Sequence, residues 1–221
     1  MDNTRHIAEQ PIGRLLIRYS LPAIAGFLAN ALYQFVDRIM VGRGVGTDAV
    51  AAVTAAFPLS IVAMALGLLV GTGTSNRISV LLGQRDIPAA ERVLGQGIRL
   101  ALINGIGLAV VTWVFTRPLL IACGCAPQLL PLAVPFARIC AVGQVFMILL
   151  FSMGNILRVQ GWPILSFLIM FSGNILNAGL AAWAVFGLHW GVTGTALATS
   201  VAQFAGCATV IAFVQSRHSI L

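Results

Sequence analysis

The sequence predicts an all-α fold: a polytopic membrane bundle of six transmembrane helices. Three observations carry that prediction. The 221 residues are 59% hydrophobic and only 9% charged, against about 25% charged in an ordinary soluble domain. Six apolar runs are each long enough for the ~20 helical residues that cross a hydrocarbon core of about 30 Å. These runs far exceed the length of a barrel strand, and lipid admits only helices or closed barrels.

The chain in order places the spans near Leu15–Val41, Val50–Ser75, Leu94–Phe115, Leu129–Ile156, Trp162–Leu188 and Gly191–Val214, one lobe over residues 1–221. The first twenty residues do not read as a cleavable signal, because the apolar run that follows Arg5, Arg14 and Arg18 is too long. The segment Gly42-Arg-Gly44-Val-Gly46-Thr-Asp48 turns the chain after the first span. Gly83-Gln-Arg85-Asp86-Ile-Pro88 turns it after the second and leads into an amphipathic start at Ala89–Arg99. Gly67, Gly71 and Gly73 set small residues along the second span for close approach of a neighbour. Pro22 and Pro58 interrupt the first and second spans and predict bends or local openings.

The net charge of +7 comes from thirteen arginines without a lysine. Spread among short loops, that excess reads as topology. With the N-terminus cytoplasmic, nine arginines fall inside and four (Arg38, Arg43, Arg117, Arg138) outside, which favours both termini in the cytoplasm of a plasma (inner) membrane protein. No basic run is interleaved with aromatics, so no nucleic-acid partner is expected; membrane lipid is. Cys123, Cys125, Cys140 and Cys207 lack metal-ligand spacing and are expected as free thiols, with no metal site and no cofactor.

Chemistry concentrates in two places. Asn30, Tyr33, Gln34 and Asp37 recur along one face of the first helix. A carboxylate on an apolar spanning helix costs roughly 2.5 kcal/mol or more at the bilayer centre and is a functional-site hypothesis by default. The bland alternative is that Asp37 and Arg38 mark the helix end. The second place is the pair of last spans: Asn174 and Asn177 lie one turn apart, and Thr195 and Thr199 are i, i+4. Buried amides and hydroxyls need partners, and oxygens beside a carboxylate could hold a proton or a small cation.

Three stretches resemble the multidrug and toxic compound extrusion (MATE) family of secondary antiporters. They are FVDRIMVGRGVGTDAVAAV, GTGTSNRISVLLGQRDIPAAERVLGQG and NILNAGLAAWAVFGLHWGVTGTALATSVAQ, and the similarity extends over essentially the whole chain. The resemblance implies one N-terminal six-helix lobe of a twelve-helix transporter that exports small organic cations against H⁺ or Na⁺. By position it puts the family's coupling carboxylate on Asp37, its tyrosine on Tyr33, its fifth-helix asparagine on Asn177 and its sixth-helix threonine on Thr199. Asn30, Gln34 and Asn174 are candidates for the substrate cavity. Where many members carry an aspartate four residues after that asparagine, this chain has Ala181. A hard cation wants about six oxygens, whereas a proton needs one carboxyl, so H⁺ is favoured over Na⁺ as the coupling ion.

The implied partner is a second six-helix lobe or a second copy of the chain. Alternatives are a lipid or lipid-linked saccharide flippase of the same superfamily, and an inactive fragment or partner subunit. No enzyme is expected and no catalytic residue is assigned. A rhomboid-like protease needs a Gly-x-Ser-Gly motif and a mid-membrane histidine, and an aspartyl type needs two spanning aspartates.

Overall fold

The computed structural model describes residues 12–215, without the side chains of residues 12, 14–19, 22, 23, 27, 30 and 215. The expectations that rest on the side chains of Asn30 and Pro22 therefore lie outside what is described. All described elements are helical. In order they are α1 (Ile12–Gly44), α2 (Thr47–Gly83), α3 (Ile87–Val114), the short α4 (Thr116–Ala122), a 3₁₀ turn (Pro127–Leu129), α5 (Leu130–Val159), α6 (Pro163–Ala182), a π-helical turn (Trp183–Gly187) and α7 (Gly191–Gln215). Five of the long segments, α2, α3, α5, α6 with its π turn, and α7, are apolar enough to cross a membrane. The 33-residue α1 occupies the place of the first expected span.

Helix α5 is the hub, packed most extensively against α2, α7 and α3. Small residues let it serve three neighbours at once. A Cβ at Gly67 would sit 2.9 Å from Phe151 Cβ, and one at Gly71 would sit 2.8 Å from Ser152 Cα. A Cβ at Gly105 of α3 would sit 3.1 Å from Val145 Cα of α5, and one at Gly143 of α5 would sit 3.2 Å from Ser200 Cα of α7. Between helices in lipid there is no hydrophobic drive, so backbone proximity of this kind supplies the packing energy. Gly73, expected to share the role, has nothing within 4 Å. It lies two residues past Gly71, about 200° around the helix, and so turns away from α5.

Helix α1 does not pack chiefly on the helix that follows it. Its main neighbour is α6, and it meets the start of α2 only near its own end, where Val41, Ala49, Val53 and Val192 form a small core. There Gly44 abuts Val185 of the π turn so closely that a methyl group has no room. Between α1 and α2 the fold is left open, and the cavity described below forms in that gap. Large apolar side chains such as Leu69 (69% exposed) and Phe35 (66% exposed) face outward, as lipid contact requires.

Two element ends differ from expectation for the same reason. Helix α2 continues past Ser75 to Gly83 because its polar side chains satisfy themselves on their own helix: Ser75 Oγ donates to Thr72 O (3.1 Å) and Ser79 Oγ to Ser75 O (3.0 Å). Its 37 residues measure about 55 Å, longer than a bilayer core. The protruding turns bury Ile78 against Leu94 and Ile156, so the stretch Ala89–Arg99 belongs to one continuous α3. That helix is capped by Asp86, whose Oδ1 accepts from Ala89 N at 3.1 Å, a cap of the kind worth ~1 kcal/mol. At Pro58, α2 runs on as helix without a break in its assignment.

Candidate functional site

One cavity of about 200 Å³ gathers most of the residues singled out from sequence. Helix α1 contributes Tyr33, Gln34, Asp37 and Arg38, α6 contributes Asn174 and Asn177, and α7 contributes Thr199 and Gln203. Phe57 and Met64 of α2, with Phe136, Cys140, Met147 and Phe151 of α5, complete an aromatic and thioether wall. On α1 the spacing of 33, 37 and 34, 38 puts four polar groups on one face.

The far wall is ordered by a short hydrogen-bond chain. Thr199 Oγ1 donates to Thr195 O of its own helix (2.9 Å), which spends its proton. It can then only accept from α6, and it does so from Asn177 Nδ2 at 3.3 Å. That contact fixes the amide, so Asn177 Oδ1 is turned away from Thr199. Asn177 is only 4% exposed, yet its Oδ1 has no hydrogen-bond partner among the described residues; the same holds for Asp37 Oδ1 and Asn174 Nδ2. A buried polar atom left unpaired costs about 1–3 kcal/mol. Three of them on residues lining one cavity mark it as built to receive a polar ligand. Tyr33 lines the same cavity as Asp37 and Thr199.

Sequence reasoning misjudged several residues. Arg38 had been counted only toward the outer charge balance; it is six residues inside α1, and its guanidinium lies 4.8 Å from the Phe57 ring centroid. Arg138 likewise sits within α5, stacked at 5.2 Å over Trp113. Thr195 is buried, and its hydroxyl donates to Val192 O (2.8 Å), so it supports α7 and does not line the cavity. Cys140, expected only as a free thiol, and Gln203 also line the cavity, a position not expected for either. The buried pair of Thr112 Oγ1 donating to Gln144 Oε1 (3.4 Å) was also missed. Their signal was absent because each is a single polar residue in an apolar run.

Ala181, the departure from the expected second carboxylate, is fully buried and is not part of the cavity wall. Ala181→Asp is therefore expected to destabilise the fold by several kcal/mol, as an unpaired buried charge does, without adding a cavity ligand. A thermal midpoint in detergent that stays at the wild-type value would contradict this.

Comparison with known proteins agrees with this fold. The chain is 28% identical to the multidrug export protein MepA of Staphylococcus haemolyticus over 216 residues, covering 97% of this chain and 48% of that protein. An outward-facing multidrug resistance MATE family transporter of the MOP superfamily superposes with a TM-score of 0.81 at 28% identity, over 91% of this chain and 45% of that one. A MOP superfamily transporter from Pyrococcus furiosus, described as having a binding pocket of reverse polarity, gives 0.82 at 28% identity over 93% of this chain and 46% of that one. The chain spans about half the length of the relatives it matches. The family model MatE matches residues 22–183, nearly three quarters of the sequence, and the chain belongs to the MatE family of membrane proteins.

Proposed function

We propose that this chain forms one six-helix lobe, residues 1–221, of a multidrug transporter that exports small organic cations in exchange for protons, with Asp37 as the coupling carboxylate. The observation that carries the reading is the cavity itself. Asp37 Oδ1 and Asn177 Oδ1 are acceptors without a partner among the described residues, on residues that line the same partly aromatic cavity, in a chain whose relatives are named multidrug export proteins. A cationic substrate and a proton then compete for one carboxylate. Loading by one expels the other, provided each binds one conformation better than the other.

Protons are favoured over sodium because the cavity lining carries a single carboxylate, Asp37: a proton needs only one carboxyl group, whereas a hard cation is held best by several charged oxygens. The partner is a second six-helix lobe or a second copy, paired about an axis along the membrane normal, an arrangement used by other transporters. The arginine balance supports both termini on the cytoplasmic side of the plasma membrane.

Everted membrane vesicles from cells expressing the chain test the reading. A fluorescent organic cation should accumulate under an imposed proton gradient, with little response to a sodium gradient, and crosslinking should trap a two-lobe assembly. Sodium-driven uptake, or export by a strictly monomeric chain, would overturn the respective part.

A further inference from the structure

We propose that Cys123 and Cys125 form a reversible dithiol–disulfide site at the C-terminal end of α4, with partly exposed Cys123 as the attacking thiol and buried Cys125 as the resolving one. The site lies apart from the cavity and stands or falls independently of the transport reading.

The two thiols owe their different surroundings to one turn. Helix α4 ends on Cys123 as its cap, and Gly124 follows with a left-handed φ of +85°, which glycine adopts without steric cost. Gly124 N donates to Ile121 O and Cys125 N donates to Leu120 O, both at 2.9 Å. In this paired cap the residue after the glycine folds back onto the last helical turn and makes an apolar contact there. Cys125 fills that place: it is buried in one core cluster with Leu120 of α4, Ala52 and Ala56 of α2, and Ala133 of α5. Cys123, on the near side of the glycine, stays partly exposed.

The same turn keeps the thiols within bonding reach. Two residues of extended chain span no more than about 7 Å, and the reversal at Gly124 shortens that. A disulfide needs Cα atoms about 4.4–6.8 Å apart. Both thiols are free in this structure, with the Cys125 thiol donating to Ala126 O at 3.7 Å, so it shows the reduced form. Burial holds the Cys125 thiol above its ordinary pKa, and the neighbouring Cys123 adds to the rise. Since the thiolate is the nucleophile, Cys125 is a poor first attacker and suits the second step. The other cysteines are remote from the pair: Cys207 is buried on α7, and Cys140 lies ten residues into α5, about 15 Å along it.

With a low-molecular-weight disulfide as oxidant, the Cys123 thiolate attacks one of its sulfurs. The S–S bond breaks, and the other half leaves as a thiolate that takes up a proton. Cys125 then gives up its own proton and attacks the Cys123 sulfur of the mixed disulfide, expelling the second thiolate. Two protein thiols are oxidised to one disulfide, and the oxidant is reduced to two thiols. The arginine balance supports this end of the bundle on the outer side of the membrane, where disulfides persist. Closing the ring draws Cys125 off Leu120 and so loosens the packing of α4 on α2 and α5.

Oxidised glutathione added to the purified chain in detergent, followed by unfolding, thiol alkylation and mass spectrometry, tests this. The wild type should lose the thiols of Cys123 and Cys125 together as an internal disulfide, reversed by dithiothreitol, while Cys140 and Cys207 are recovered as thiols. Oxidation should lower the thermal midpoint, and reduction should restore it. Cys125→Ala keeps an apolar group against Leu120 but lacks the resolving thiol, so it should stop at a glutathione adduct on Cys123. Cys123→Ala should slow the oxidation of Cys125 about tenfold or more, because burial shields it. Stable separate adducts on both cysteines of the wild type, or two thiols that stay free, would overturn the proposal. Equal rates at Cys125 with and without Cys123 would overturn the order of attack, and an unchanged midpoint would overturn the effect on packing.

Discussion

Asp37→Asn is expected to reduce proton-driven export to background, at least tenfold, while the chain inserts and folds as before. The substitution keeps the side chain's shape and removes only the ability to change charge. Without that change, proton and substrate no longer exchange at one group, and nothing links the gradient to cargo. Folding should be indifferent because Asp37 Oδ1 has no hydrogen-bond partner to lose among the described residues. Exchanging a costly partly buried carboxylate for a neutral amide should shift stability by no more than about 0.5 kcal/mol, or raise it. Uptake in everted vesicles reads the first effect, and the thermal midpoint of purified protein reads the second. Undiminished uptake would remove Asp37 from the coupling role; a large fall in midpoint would make it a structural residue.

Gly71→Val should be the most damaging small substitution in the bundle. Its Cβ would lie 2.8 Å from Ser152 Cα and 3.0 Å from Ser152 O. Both are backbone atoms of α5 and cannot turn aside as the tip of a side chain would. Overpacking of this kind typically costs 1–3 kcal/mol and occasionally more, and the upper end applies where backbone meets backbone. The displacement would also disturb Asn155, whose Nδ2 lies 2.9 Å from the new Cβ and whose Oδ1 accepts from Arg158 at 3.2 Å. Gly73→Ala, two residues along with nothing within 4 Å, is the internal control and should be close to neutral. Equal midpoints for the two variants would mean that the α2–α5 contact does not limit stability.

The contrast between those two glycines shows what could be read from sequence. The pattern Gly67, Gly71, Gly73 announced a packing stripe, but only the angular positions of 67 and 71 agree with one face, and the neighbour they meet is a fact of topology. Tyr33, Gln34 and Asp37 were legible because helical periodicity alone places them together. Asn177 and Thr199 reached the cavity through likeness to a family, since no local rule says that two separate spans face one another. Arg38 was misread because a charge late in an apolar run resembles an interfacial anchor; its real partner, Phe57, lies on another helix. Cys140 and Gln203 gave no signal, being ordinary residues until five helices converge on them. The second span was expected to end at Ser75 although the turn was expected only at Gly83; serine hydroxyls bond back to their own helix and let it continue to that turn.

The lock between Gly44 and Val185 has a mechanical consequence. With the end of α1 wedged against the π turn and held in the small core of Val41, Ala49, Val53 and Val192, that point is a fulcrum and the remainder of the helix a lever arm. Asp37 is seven residues from it, about 10 Å, while Leu21 is about 35 Å away. A rock of about 10° would carry the carboxylate only about 2 Å but sweep the far end through about 6 Å, by simple rotation of a rod with that rise per residue. The charged group thus sits on the short side of the arm, where it can remain within reach of Tyr33 and Asn177 while the opposite end swings widely.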